Sequence, residues 1–189
     1  MIDIEMYGGK RGVPEHVRSR ILYVLGAYGG VDDVEWSSVR RLVFVCLGNI
    51  CRSPYAWAKA RSMDIVSVSF GLNATNGTFA DPAAVRNALV RGVDLSAHRS
   101  AQMSRQCLLD GDLIIVFESW QVSEIRRRFG ARVRVKLLGI WANPRRPHIH
   151  DPYGHSDRYF QQCFSIIDES VAELVAHMRR GGAPAAKVL

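Results

Sequence analysis

Cysteine is scarce in this chain, and it is absent from the patterns that bind zinc or staple small domains. The four residues, Cys46, Cys51, Cys107 and Cys163, include no Cys-x-x-C pair, and only the first two lie close together. This argues against a zinc site and a disulfide framework, and for a reducing compartment. Long apolar runs are also missing: no stretch reaches the ~18 residues of a spanning helix, so no membrane insertion is expected. Residues 21–31 come nearest to a leader, being apolar and preceded by Lys10, Arg11, Arg18 and Arg20, but they contain three glycines and lead into Asp32 and Asp33. They lack a small-residue cleavage site, and a cytoplasmic location is expected. Blocks of like charge are absent as well. A net charge of +7 and a pI near 9.6 favour acidic partners, yet the arginines are scattered, so nothing supports nucleic-acid binding.

What is present is enough for one domain: 189 residues, 48% of them apolar. Residues 42–47 form a short apolar run, rich in β-branched and aromatic side chains, that does not alternate with polar ones. Such a run predicts a strand buried on both faces of a parallel sheet. The stretch Val45-Cys46-Leu47-Gly48-Asn49-Ile50-Cys51-Arg52-Ser53-Pro54 continues it into a tight loop and then a helix over 54–63. Ser53 is expected to cap the helix and Pro54 to open it. Gly48 and Asn49 both tolerate positive φ, so the loop can curl and turn its N–H groups inward as an anion site. A cysteine facing such a site, with a guanidinium beside it, is favoured as thiolate. Cys46 is the expected nucleophile. Arg52 offers a planar fork for two phosphate oxygens.

This stretch resembles the signature of the low-molecular-weight protein tyrosine phosphatases. The resemblance begins near Arg41, with a second anchor in Asp94-Leu95-Ser96-Ala97-His98-Arg99-Ser100. It implies a flavodoxin-like α/β domain over 41–182, a phosphocysteine intermediate, and no metal or other cofactor. The substrate contacts it implies are Leu47, Gly48, Asn49, Ile50, Cys51 and Ser53. Ser53 would also stabilise the Cys46 sulfur, and Ser69 would hold Asn49 as structural support. Cys51 would either protect Cys46 through a reversible disulfide or serve as a small buried residue.

Along the chain, further strands are expected over 64–69, 112–118 and 133–138, and helices over 81–91, 119–129 and 157–179. This alternation implies a four-stranded parallel sheet with helices on both faces. Its ligand site would lie beyond the carboxyl ends of the strands. Polar residues 73–78 form a surface loop that would rim the cleft. Residues 1–40 form an extension with a helix over 14–26, carrying Val17, Ile21, Leu22 and Leu25 on one side. Packing on the domain, an oligomer contact and a targeting role all remain open for it. Residues 183–189 form a tail.

A phosphate monoester also needs an acid for its leaving oxygen. Asp151-Pro152-Tyr153-Gly154 follows the fourth strand; proline stiffens the turn and Tyr153 offers an aromatic wall. Asp81-Pro82 shows that Asp-Pro alone is only a helix opening, so position and resemblance select Asp151. The Asp-Pro-Tyr-Gly form is similar to the bacterial members of the family, which implies a phosphotyrosine protein as substrate, with a tyrosine kinase of polysaccharide export as candidate. Two departures stay open: Phe117-Glu118 stands where the family has Met-Asp, and His148, His150 and His155 crowd the acid loop. They are read as rim histidines rather than metal ligands. The rival functions are a thiol-dependent arsenate reductase, for which only Cys107 lies in the required region, and a non-catalytic phosphate-binding module.

Overall fold

A computed structural model describes residues 9–30 and 33–183. Four parallel strands form one sheet in the order β2-β1-β3-β4: β1 (Arg41–Cys46), β2 (Ser67–Gly71), β3 (Asp112–Val116) and β4 (Val135–Leu137). Every residue of β1 after Arg41 is buried, as is all of β3. This is the burial that a non-alternating apolar run requires when helices cover both faces of a sheet. The helices are α1 (Gly9–Val24), α2 (Arg52–Arg61), α3 (Pro82–Leu89), α4 (Ser119–Phe129) and α5 (Asp157–Arg180). Phe160, Phe164, Ile167, Val171, Leu174 and Met178 on α5 all enter the core, and Phe164 stacks on Tyr55 of α2 at 3.8 Å.

From β1 the chain goes to β2 on one side and later to β3 on the other, so the carboxyl ends of β1 and β3 diverge at a switch point. Cys46 ends β1, and Glu118 lies two residues past β3. The loop that carries Asp151 returns to the same edge. A buried turn, Leu138–Trp141, starts it, and Ile149 N–H donates to the Phe117 carbonyl at 2.8 Å. Gly139 permits the return, because a Cβ there would fall on the Arg146 carbonyl.

Several local expectations need correction. The second strand starts at Ser67 rather than 64, because α2 unwinds through residues 62–65: Ile65 N–H returns to the Ala60 carbonyl and Asp64 adopts φ 61°. Ser53 does not cap α2 and Pro54 does not open it. The helix starts at Arg52, its N-cap position is Cys51, and the Ser53 hydroxyl turns into the loop. Helix α1 packs through a face other than the expected one. Gly12 and Ser19 are buried, His16, Tyr23 and, from the expected face, Leu22 are half-buried, while Val17, Ile21, Val24 and Leu25 are 50–78% exposed. Ser19 lies against Ser119 at the start of α4, Oγ to Oγ 3.4 Å, so small and polar groups form the contact. Between α1 and β1, Val34, Trp36 and Val39 enter the core, and Trp36 meets the Trp141 ring edge-on at 6.2 Å.

Candidate active site

The turn after β1 is made at Asn49, with φ 56°; of the two residues that tolerate positive φ, Gly48 does not use it. Asn49 fixes the loop in every direction. Its Nδ2 donates to Ser53 Oγ (2.8 Å) and Ser69 Oγ (3.0 Å), and its Oδ1 accepts from Ala101 N–H (2.9 Å). His98 Nε2 lies 2.8 Å from the Asn49 carbonyl, which places the ring proton on Nε2. Burial, helped by Arg99, lowers the His98 pKa against the opposing effect of this hydrogen bond.

The neighbouring carbonyls are also held from outside the loop. Leu72, Asn73 and Asp81 N–H groups donate to the carbonyls of Cys46, Leu47 and Ile50 at 2.9, 2.8 and 2.9 Å. In a planar trans peptide the N–H points opposite to the carbonyl. The N–H groups of Leu47, Gly48, Ile50 and Cys51 are thereby turned to the inner side. Gly71 makes the close approach tolerable: a Cβ there would stand 2.8 Å from the Leu47 oxygen and 3.0 Å from the Asn49 nitrogen.

Cys46 Sγ sits inside this loop, buried, 3.0 Å from Ser53 Oγ and 3.3 Å from the Asn49 N–H that donates to it. Arg52 is fully buried. Its Nη1 donates to Glu118 Oε2 (2.8 Å) and to the Ile149 carbonyl (2.9 Å), and its Nη2 contacts Asp151 Oδ2 at 2.6 Å. Burial works against the guanidinium charge, but Asp151 and Glu118 outweigh it and hold the pKa above its ordinary value. Arg52 Nε is buried without a hydrogen-bond partner among the described residues. A charged donor left in that state is aimed at an acceptor such as an anion's oxygen.

Asp151 keeps a third of its side chain exposed, and its Oδ1 accepts from the Tyr153 N–H at 3.3 Å. Tyr153, Leu47 and Phe79 are exposed, and the Arg99 guanidinium stacks on Phe79 at 3.5 Å. Ile50 is half-buried. Cys51 is a buried free thiol whose pKa burial and the nearby carboxylates push up. Of the loop histidines, His148 is buried and its pKa is lowered to about 4 by desolvation, while His150 is half-buried and lowered for the same reason. His155 packs against the Tyr159 ring at 4.8 Å. Sequence reasoning left Glu118 without a role and gave His98 none. His98 lay inside the second anchor, which was the available signal; nothing in the sequence placed Glu118 on Arg52.

The arrangement unites a cysteine, a donor-lined loop, a buried arginine and a carboxylate at the carboxyl edge of a parallel sheet, as cysteine-dependent phosphoryl transfer needs. Residues 41–183 match the family model for low molecular weight phosphotyrosine protein phosphatase. A probable low molecular weight protein-tyrosine-phosphatase, EpsP of Ralstonia nicotianae, is 36% identical over 147 residues, covering 76% of this chain and 99% of that protein. The crystal structure of the Erwinia amylovora tyrosine phosphatase AmsI superposes with a TM-score of 0.68 at 30% identity, covering 73% of this chain and 92% of that one. Wzb from Escherichia coli K30, solved in complex with sulphate, gives 0.65 at 28% identity over 71% and 94%. The chain belongs to the low-molecular-weight protein tyrosine phosphatase family, and it is a hydrolase. No helix among the described residues is long and apolar enough to cross a membrane.

Proposed function

We propose that this phosphatase removes phosphate from a phosphotyrosine protein through a phosphocysteine on Cys46. The observation that carries the mechanism is the contact of Arg52 with Asp151, 2.6 Å apart, beside the buried Cys46 sulfur. An incoming phosphate dianion competes with Asp151 for Arg52 Nη2 and offers an oxygen to the unpartnered Nε. Sγ attacks phosphorus, the loop N–H groups and Arg52 take the charge of the equatorial oxygens, and the P–O bond to tyrosine breaks. Asp151, protonated in the complex, gives its proton to the departing phenolate. It then takes one from the water that attacks the phosphocysteine, releasing phosphate and the thiolate. Ser53 Oγ steadies that thiolate. Leu47, Tyr153 and the 73–78 loop frame the phenyl ring, and Gly48, Ile50 and Cys51 contribute backbone to the cradle.

The catalytic unit in this reading is 41–182, with 1–40 as an extension and 183–189 as a tail. A bacterial tyrosine kinase is the proposed protein substrate, supported by the Asp-Pro-Tyr-Gly acid loop. The arsenate reductase reading is disfavoured by Cys107. Its carbonyl accepts from Arg41 at the opposite end of β1, about 16 Å of strand from Cys46.

The test is hydrolysis of a phosphotyrosine peptide in the presence of a chelator. Turnover should vanish in Cys46→Ser and fall about 10²–10⁴-fold in Asp151→Asn, the usual worth of a general acid. Full activity in Cys46→Ser would overturn the mechanism. Phosphate binding without wild-type turnover would instead make the protein a binding module.

A further inference from the structure

Directly behind the phosphate site, three side chains of metal-binding chemistry converge. Glu118, His148 and His150 each offer a ligand atom, and these atoms lie within 4.8 Å of one another. Glu118 uses Oε2 for Arg52 and for Gln121 Nε2, whereas Oε1 faces His148 Nε2 at 3.8 Å. His148 is only 6% exposed, yet neither of its ring nitrogens has a hydrogen-bond partner among the described residues. A buried imidazole left unsatisfied at both nitrogens is costly, and native structures pair such nitrogens with protein groups, ordered water or an ion. The His150 ring lies beside it, centroids 5.8 Å apart and planes 29° from parallel.

We propose that Glu118, His148 and His150 form a binding site for a divalent transition-metal ion of the zinc type, and that its occupation inhibits the phosphatase. Two imidazoles and one carboxylate suit zinc, cobalt or nickel and do not suit magnesium or calcium, which take oxygen ligands. Tetrahedral coordination at ~2.1 Å sets ligand atoms about 3.4 Å apart, so the three need to draw together by at most about 1.4 Å, within the reach of side-chain rotation. A cavity of about 20 Å³, bordered by His148, His150 and His16 of α1, gives room for one water-sized fourth ligand. Arg146 also borders this cavity and Arg52 touches Glu118, so positive charge limits the affinity.

Inhibition follows from connectivity and rests on the proposed roles of Arg52 and Asp151. A cation on Glu118 weakens the carboxylate's hold on Arg52. The same cation on His150 pins the residue next to Asp151, so the acid cannot leave Arg52 for the leaving group.

Binding is tested apart from catalysis, in full-length Cys46→Ser, which removes the thiol of the phosphate loop; Cys163, which borders the same cavity, remains as a rival ligand that the spectrum distinguishes. Titration with Co²⁺, read by visible absorption and by competition with a chromophoric chelator, should show one ion per chain. Its spectrum should be that of nitrogen and oxygen coordination, without a thiolate charge-transfer band. His150→Gln and His148→Gln in this background should each weaken binding at least tenfold; His150 is half-buried, so its variant covers the case in which the buried position does not fold. Absence of stoichiometric Co²⁺ binding, or binding unaffected by His150→Gln, would overturn the site. In the otherwise native enzyme, Zn²⁺ should inhibit, with the half-inhibiting concentration raised tenfold or more by His150→Gln. Unchanged inhibition in that variant would place the metal on Cys46 and refute the proposal. A protein that binds Co²⁺ as described but hydrolyses nothing in chelator would fail the catalytic reading while keeping the site.

Discussion

Asn49 shows how much a single residue can fix. It takes the one left-handed conformation in the loop, and its amide, carbonyl and carboxamide reach Cys46, His98, Ser53, Ser69 and Ala101. Asn49→Ala keeps the backbone bonds but orphans the donor at Ala101 and leaves a less tolerant residue at positive φ. Unfolding in urea should show a loss of about 2–4 kcal/mol. The kcat on a phosphotyrosine peptide should fall more than tenfold. His98 contributes a pH dependence. Its folded pKa lies below the ordinary imidazole value of about 6.5, so the unfolded chain takes up the proton first. The stability this burial allows is present above pH ~6.5 and is lost as pH falls below it. Urea midpoints at pH 7.5 and 5.5 should therefore differ, and His98→Gln should reduce the difference, the remainder belonging to His148 and His150; an unchanged slope would remove His98 from the account.

At the scale of elements, the two Asp-Pro steps separate structure from chemistry. Asp81 caps α3, its Oδ1 accepting from Ala83 and Ala84 N–H at 2.9 and 3.1 Å, with Pro82 at the first helical position. Asp151 caps no helix and meets Arg52 instead. Asp81→Ala should therefore cost about 1 kcal/mol in thermal or urea unfolding and leave kcat within twofold. Asp151→Asn should do the reverse. The first of these was readable from the sequence, because capping is settled within four residues. Asp151 was singled out by its place after the fourth strand and by the family resemblance, since Asp-Pro carries the same local meaning in both places, and its contact with Arg52 came only from the structure. Ser53 marks the opposite case: a good capping residue by type, it is drawn away by Cys46 Sγ and Asn49 Nδ2.

Across the whole molecule, the described residues before β1 fall into two parts, 9–30 and 33–40. Helix α1 touches the domain through Ser19 and through Tyr23, whose hydroxyl accepts from Arg145 at 2.7 Å, and it leaves Val17, Ile21 and Val24 exposed. Trp36, by contrast, fills space against Trp141, and a Cβ on Gly181 would strike it. Deletion of residues 1–30 should leave a folded, active enzyme with a small decrease in Tm. Deletion of residues 1–40 should cost several kcal/mol, as Trp36→Ala alone should cost about 3–5 kcal/mol. Circular dichroism melts and turnover on the three proteins would check this, and equal Tm values for the two deletions would contradict it.

The sequence by itself determined the buried parallel strands and the strand-loop-helix that carries Cys46 and Arg52. Apolar patterning and the donors of a seven-residue loop act over short chain distances, so their consequences can be read in order. Only the tertiary structure decided what surrounds Arg52: Glu118 comes from 66 residues away and Ile149 from 97. The face on which α1 packs and the gathering of Glu118 with His148 and His150 were likewise set by how the elements pack. Side-chain type says that a histidine can bind a proton, a metal or a ring. Which of these neighbours it meets depends on which strand ends share an edge, and that is a property of the packed sheet.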